Sequence, residues 1–282
     1  MAMAKVCGHW RRPWTQERRT SRRLGSGRKC RKEAGRTRAS EGQVGGHGKL
    51  LPVFPLGMVG MPNCKVSLHI FEARYRVLFN TLLSGDQDVE EGLVDRESAF
   101  LGTRRFGLVF VTDQGQLAEY GSTLEIEQHR QIDGGRMLVV QRGVERFKIT
   151  EVVQEKPYLI CKVETVDDED EIDEEVVEIA KDTAQKFRDT IKLGMKEKGM
   201  PLPEDPTELD ELEPKELSFW IASMFDAPVE QQNLLEMRST KERLQRENEV
   251  LKSTLDYLVA TSALKSALNQ SSPGDAPPES TE

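Results

Sequence analysis

The chain is poor in the residues that carry covalent and metal chemistry. Its four cysteines, Cys7, Cys30, Cys64 and Cys161, include no CxxC pair, so neither a zinc site nor a disulfide framework is indicated. Cys161 lies in the apolar run "YLICKV", where a small buried hydrophobe is the expected role. Of four histidines, His9 and His47 fall in a basic N-terminal stretch, leaving His69 and His129 far apart in the remainder. Cys/His and Ser/His/Asp catalysis therefore lack raw material. No apolar run approaches the ~18 residues of a membrane span, and no signal-peptide core follows Met1, so a soluble protein is expected. "GGHGKL" is not a phosphate loop, because Gln43 and Leu50 stand where the first glycine and the magnesium-binding hydroxyl belong.

Charge divides the 282 residues sharply. Residues 1–49 hold fourteen Lys/Arg and three Glu, net +11, leaving twenty-six Lys/Arg against forty-five Asp/Glu, net −19, for residues 50–282. The basic stretch has almost no apolar periodicity and is expected to be disordered. It reads as an organelle transit segment, a basic arm for nucleic acid, or a stretch wrongly taken as coding. Its Arg and Ser content and scarcity of acids favour the transit reading.

From residue 50 the pattern becomes that of a folded α+β protein. "LLPVFPL" reads as a strand confined to an edge or a bulge by Pro52 and Pro55. In "FEARYRVLFNTLLSG", Phe71, Tyr75, Leu78 and Leu82 recur at helical spacing up to Gly85. Period-two, β-branched runs then follow: "RFGLVFVT", "STLEIEQHRQI", a turn at Asp133-Gly134-Gly135, "RMLVVQRG", "VERFKITEVV" and "PYLICKVETV". So many short strands around one inserted helix predict a curled, partly closed antiparallel sheet over residues 50–166.

Residues 167–268 read as a helical bundle. The acidic run "DDEDEIDEE" is expected to be a solvated helix start, and Ile172, Val176, Ile179, Thr183, Phe187 and Ile191 share one face beyond it. Pro214 and the pair Asp226/Pro228 mark two further helix starts, and Ser239-Thr240-Lys241-Glu242 forms a capping box for a last helix. There Leu244, Asn248, Leu251, Leu255 and Leu258 follow zipper spacing, which leaves open an intramolecular bundle or a homodimer through residues 240–268. Residues 269–282 are expected to be disordered by composition.

"LPVFPL", Pro62, "LHIFEARYRVLF", "QRGVERFKI" with "PYLICKVE", and "LLEMRSTKERL" together resemble the N-terminal, substrate-recognition domain of Lon proteases, from about Leu50 to Leu268. The resemblance implies a PUA-like pseudo-barrel followed by helices, and Ala73 departs from the proline usual there. It further implies that Glu72, Arg74 and Tyr75 fasten the inserted helix to the sheet through a partly buried Glu–Arg pair. Arg142-Gly143 and Arg146-Phe147 read as a turn with cross-strand anchors. The P-loop ATPase and the Ser-Lys peptidase of Lon have no counterpart, so no catalytic residue, metal or cofactor is expected. The chain is similar to stand-alone Lon-domain proteins of plants and bacteria, which fits a chloroplast location, with the mitochondrion as the alternative. Cereblon also has this module, but its zinc-binding domain has no counterpart here.

The expected activity is therefore non-catalytic capture of unfolded or client polypeptides, as an adaptor in protein quality control that could dock a protease or chaperone. Phe54, Met58, Val59 and Met61, in the apolar, Gly-rich "FPLGMVGMP", are the candidate contacts. Filling the open end of the sheet is the other role open to them. A nucleic-acid-binding PUA-like protein is disfavoured by the net −19 of the folded part. A coiled-coil scaffold remains open. A hydrolase built on Glu119, Glu125 and Glu127 is disfavoured because alternation puts Glu125 and Glu127 on one strand face, where solvated side chains are the plain reading.

Overall fold

The computed structural model describes residues 48–201 and 207–270. The basic N-terminal stretch through residue 47, and residues 271–282 of the tail, lie outside them. Six strands come first: β1 (Lys49–Leu56), β2 (Lys65–Ile70), β3 (Arg105–Val111), β4 (Leu117–Ile132), β5 (Arg136–Gln154) and β6 (Leu159–Val166). Helix α1 (Ala73–Leu82) is inserted between β2 and β3, and α2 (Glu174–Glu197), α3 (Pro214–Ser223), α4 (Pro228–Glu236) and α5 (Thr240–Gln270) follow.

The strand order is β2-β5-β4-β3-β1-β6, and β5 also pairs with β6. Five strands thus close into a ring, with β2 left as a flap outside it. The sheet is mixed, since β1 runs parallel to β3 while the other pairings are antiparallel. The expectation of an edge strand at Pro52 and Pro55 is corrected: β1 has a partner on each side. Its N-terminal half through Val53 pairs with β6, and its C-terminal half from Val53 pairs with β3. Each proline therefore meets one neighbour only, which is how an inner strand tolerates a residue with no N–H.

Strand β5 organises the ring. The two strands read separately as "RMLVVQRG" and "VERFKITEVV" are one continuous strand, and Arg142-Gly143 is not a turn. Along one side β5 pairs with β4; along the other it pairs with β2 up to Arg142 and with β6 from Arg146. Gly143 sits at the change of partner. Its N–H donates to the Cys64 carbonyl at 3.0 Å and its carbonyl accepts from the Asn63 N–H at 2.9 Å. A Cβ there would collide with the Met61 carbonyl, so glycine is required by close approach of two backbones.

Alternate residues of β1 enter two cores. Phe54 joins Tyr75, Leu78, Phe79 and Phe106 beneath α1, while Leu51 and Val53 meet Phe147 and Cys161. Phe71, counted above in the helical stripe, is 62 % exposed and lies outside the helix, whose N-cap is Glu72.

In the bundle, α2 and α5 lie side by side in parallel, cross-linked by Lys241–Glu175 at 2.6 Å, Asn248–Asp182 at 2.7 Å and Lys265–Glu197 at 2.7 Å. Leu244 and Leu251 are buried against α2 and α3. The zipper spacing thus serves an intramolecular seam, and Asn248 bonds Asp182 and Thr183 within the chain. Pro214 opens α3, but Asp226 does not cap α4; Ala227 stands at the N-cap without a side-chain bond. Glu247, one turn after Arg243, is fully buried with no hydrogen-bond partner for either carboxyl oxygen. Burial pushes its carboxyl well above the usual range, against the opposing charge of Arg243.

Two measurements check this packing. Gly143→Ala is expected to lower the free energy of urea unfolding by about 1–3 kcal/mol, because backbone must move to admit the methyl group. Glu247→Met is expected to raise stability by about 1–3 kcal/mol at pH 7. The native carboxyl keeps a proton that the unfolded chain releases, so the gain should grow as pH rises above 4.5.

Candidate polypeptide-binding surface

The four candidate contacts do not form an open surface. Phe54 is 6 % exposed, with its ring centroid 4.1 Å from that of Tyr75. Val59 and Met61 are buried with Phe110, Phe219, Leu234 and Leu235, where they seal the sheet against α3 and α4. Met58 is half-buried on the core beneath α1. The physical reason is the route of residues 57–64, which pass between β5 and the bundle. The Gly60 carbonyl accepts the Ser122 hydroxyl at 2.7 Å, and Asn63 donates to Glu216 at 3.2 Å.

The Glu72–Arg74 pair is also corrected. It lies on the surface at 2.9 Å, with both side chains about half exposed, where such pairs contribute ~0–1 kcal/mol. Tyr75 alone of the three is buried, so apolar packing fastens the helix.

Arg146 is the larger revision. It and Arg243 are fully buried and converge on Asp168, whose side chain is 4 % exposed. Arg146 bonds Asp168 and donates to the carbonyls of Leu235 at 2.9 Å and Met237 at 2.5 Å. Arg243 donates to Asp168 at 2.7 and 3.2 Å, to Met237 at 3.1 Å and to the Ser218 hydroxyl at 2.7 Å. Both guanidinium groups face the Phe219 ring, at 5.1 and 3.9 Å from its centroid. Burial pushes the Asp168 carboxyl up, but Arg243, the Thr240 hydroxyl and Arg146 outweigh it and hold the pKa down at about 2.

The acidic run is accordingly more than a solvated helix start. Asp170 accepts the N–H groups of Thr240 and Lys241 at 2.8 and 2.9 Å, capping α5, while Asp173 accepts the Val176 N–H at 2.8 Å and caps α2. Asp168, Asp170 and Asp173 thus tie the sheet and two helix starts into one frame.

Exposed apolar ground occurs elsewhere. On the outer face of β2, His69 lies opposite Leu138, which is 38 % exposed, and its ring centroid is 5.7 Å from that of the protruding Phe71. An ion cluster, Lys65–Glu127–Arg142, bounds one end at 3.2 and 2.7 Å, and Glu72–Arg74 bounds the other. A second area is an open cleft of about 630 Å³ along α2 and α5, lined by Leu193, Met200 and Leu255 among Asp189, Lys192 and Lys196. Sequence reasoning missed Phe71 and Leu138. The available signal was the alternation of residues 65–71, which the helical spacing from Phe71 onward masked.

Among the described residues no three His, Cys, Asp or Glu gather as a metal site, and burial pushes the Cys64 thiol up to about 11. No helix among them is long and apolar enough to cross a membrane.

Comparison with known proteins decides the family: the profile of the ATP-dependent protease La (LON) substrate-binding domain matches residues 50–253. The chain belongs to the Lon substrate-binding domain family. It is 37 % identical over 136 residues to a Lon protease of Anaeromyxobacter dehalogenans, covering 46 % of this chain and 15 % of that protease. It is 26 % identical over 198 residues to the Lon protease of Brevibacillus choshinensis, covering 69 % and 24 %. The chain therefore spans less than a quarter of the proteases' length. The N-terminal domain of a Lon protease from the Mycobacterium avium complex shares the fold, with a TM-score of 0.51 at 16 % identity over 72 % of this chain and 98 % of that one. Within this Lon-type fold, the Asp168 cluster joins the sheet to the bundle.

Asp168→Ala is expected to cost about 3–5 kcal/mol at pH 7, since it leaves two buried guanidinium groups without a counter-ion. Because the folded-state pKa is depressed from 3.8 to about 2, the stability that Asp168 contributes is fully present above pH 3.8 and is lost as pH falls through 2. That contribution amounts to about 2 kcal/mol, so the acid-induced fall in urea midpoint should be smaller by that amount in Asp168→Ala than in the unaltered chain.

Proposed function

We propose that this chain is a non-catalytic substrate-recognition module that binds unfolded or client polypeptides and acts as an adaptor in protein quality control. The observation that carries the reading is the match of the Lon substrate-binding profile to residues 50–253. That profile describes the substrate-binding domain of an ATP-dependent protease, so capture without cleavage is the activity to test. The protruding Phe71 beside Leu138 supports this outer face as the contact ground, because aromatic anchors dominate binding energy at polypeptide interfaces. The composition of residues 1–49 supports import into an organelle, the plastid before the mitochondrion.

The full chain, without ATP, is expected to suppress light scattering from a thermally unfolding client and to bind a permanently unfolded, carboxymethylated polypeptide. The double variant Phe71→Asp/Leu138→Asp should weaken that binding about tenfold. If the unaltered chain neither suppresses scattering nor binds the carboxymethylated polypeptide, general client capture is wrong. A single folded partner must then be sought by pull-down.

A further inference from the structure

We propose that a client segment is held as an added β-strand along the free edge of β2, antiparallel or parallel to Lys65–Ile70. This inference rests on the client-binding reading and names the mode of capture. Among the described residues, β2 is the one strand with a single neighbour: it pairs with β5 alone, whereas every other strand has at least two.

The register states which backbone groups are free. Gly143 donates to the Cys64 carbonyl, and the β2–β5 register continues that pairing from Lys65 opposite Arg142 to Ile70 opposite Met137. Hydrogen-bonded and non-bonded pairs alternate in an antiparallel ladder. Val66, Leu68 and Ile70 therefore bond β5, and the N–H and C=O groups of Lys65, Ser67 and His69 point outward. These three residues are exposed. A row of donors and acceptors at two-residue spacing is complementary to one chemistry, an extended peptide backbone.

The flanking side chains narrow the occupant further. Phe71, His69 and Leu138 form an apolar centre, and the charges at each end are already partnered, Lys65 and Arg142 on Glu127, and Arg74 on Glu72. An uncharged or weakly basic apolar segment meets no repulsion there. A second copy of this chain would bring together two acidic regions, residues 50–282 at net −19 each, and a like-charged approach opposes association. The occupant is thus an extended, apolar, non-acidic stretch of an unfolded protein.

The test uses the full chain and a fluorescein-labelled peptide of alternating valine and threonine with lysine at both ends. One form is unmodified and the other is N-methylated throughout. Strand addition requires backbone N–H groups, so methylation should weaken binding at least about tenfold, whereas capture by side chains alone would leave the two forms alike. Ser67→Pro removes an outward donor without removing a bond to β5, so its melting temperature should stay near that of the unaltered chain. Its affinity for the unmodified peptide should also fall about tenfold. Equal binding of both peptide forms overturns the proposal, as does undiminished binding by a folded Ser67→Pro variant. If sedimentation shows a dimer that Ser67→Pro dissociates, the edge belongs to a second copy and the proposal is likewise overturned. If the carboxymethylated polypeptide is bound while methylation has no effect, strand addition alone fails. If neither polypeptide nor peptide is bound, the client-binding reading fails with it.

Discussion

One carboxylate between two buried guanidinium groups holds this molecule together as a unit. Asp168 follows β6, Arg146 lies in the ring and Arg243 in the last helix, so no two of the three come from the same part of the fold. Removing three charges from water is costly, and their mutual attraction offsets that cost only in one geometry. The cluster therefore contributes orientation at least as much as stability. It sets the angle at which the bundle meets the sheet, and Phe219, faced by both cations, gives that junction an apolar floor.

The exposed edge of β2 is a consequence of the same architecture. A strand as long as β5 can serve two partners in succession on one side, and Gly143 marks the exchange because the Met61 backbone passes there. The ring closes through β6, and β2 is left outside with one side unbonded. Placing residues 57–64 beneath the bundle buries Val59 and Met61, which would otherwise be apolar surface. The apolar ground that remains open is smaller, on the outer face between two ion clusters.

Much of the fold was legible in the sequence because it rests on local periodicity. Alternation marks β3 through β6, the spacing of Tyr75, Leu78 and Leu82 marks α1, and Pro214 and the Ser239–Glu242 box mark helix starts. The ordered motifs from Leu50 onward also pointed to the family. The site was much less legible. Val59 and Met61 are apolar and lie among glycine and proline, and composition cannot say whether such residues face solvent or a bundle more than a hundred residues away. Phe71 was hidden because it ends an alternating strand and begins a helical spacing at once.

The sequence alone determined most of the secondary elements, though not β2 or the continuity of β5, together with the division between a β-rich front and a helical rear and the kinship to a substrate-binding domain, because each follows from side-chain period or an ordered motif. Tertiary structure decided which strand lacks a neighbour, that Leu244 and Leu251 of the zipper spacing face α2 and α3, and that an acidic run supplies a buried counter-ion. Those features depend on residues far apart in the chain, Arg146 with Arg243 and Met61 with Gly143. No local pattern encodes a distance between them, since packing and desolvation act only once the chain has brought them together.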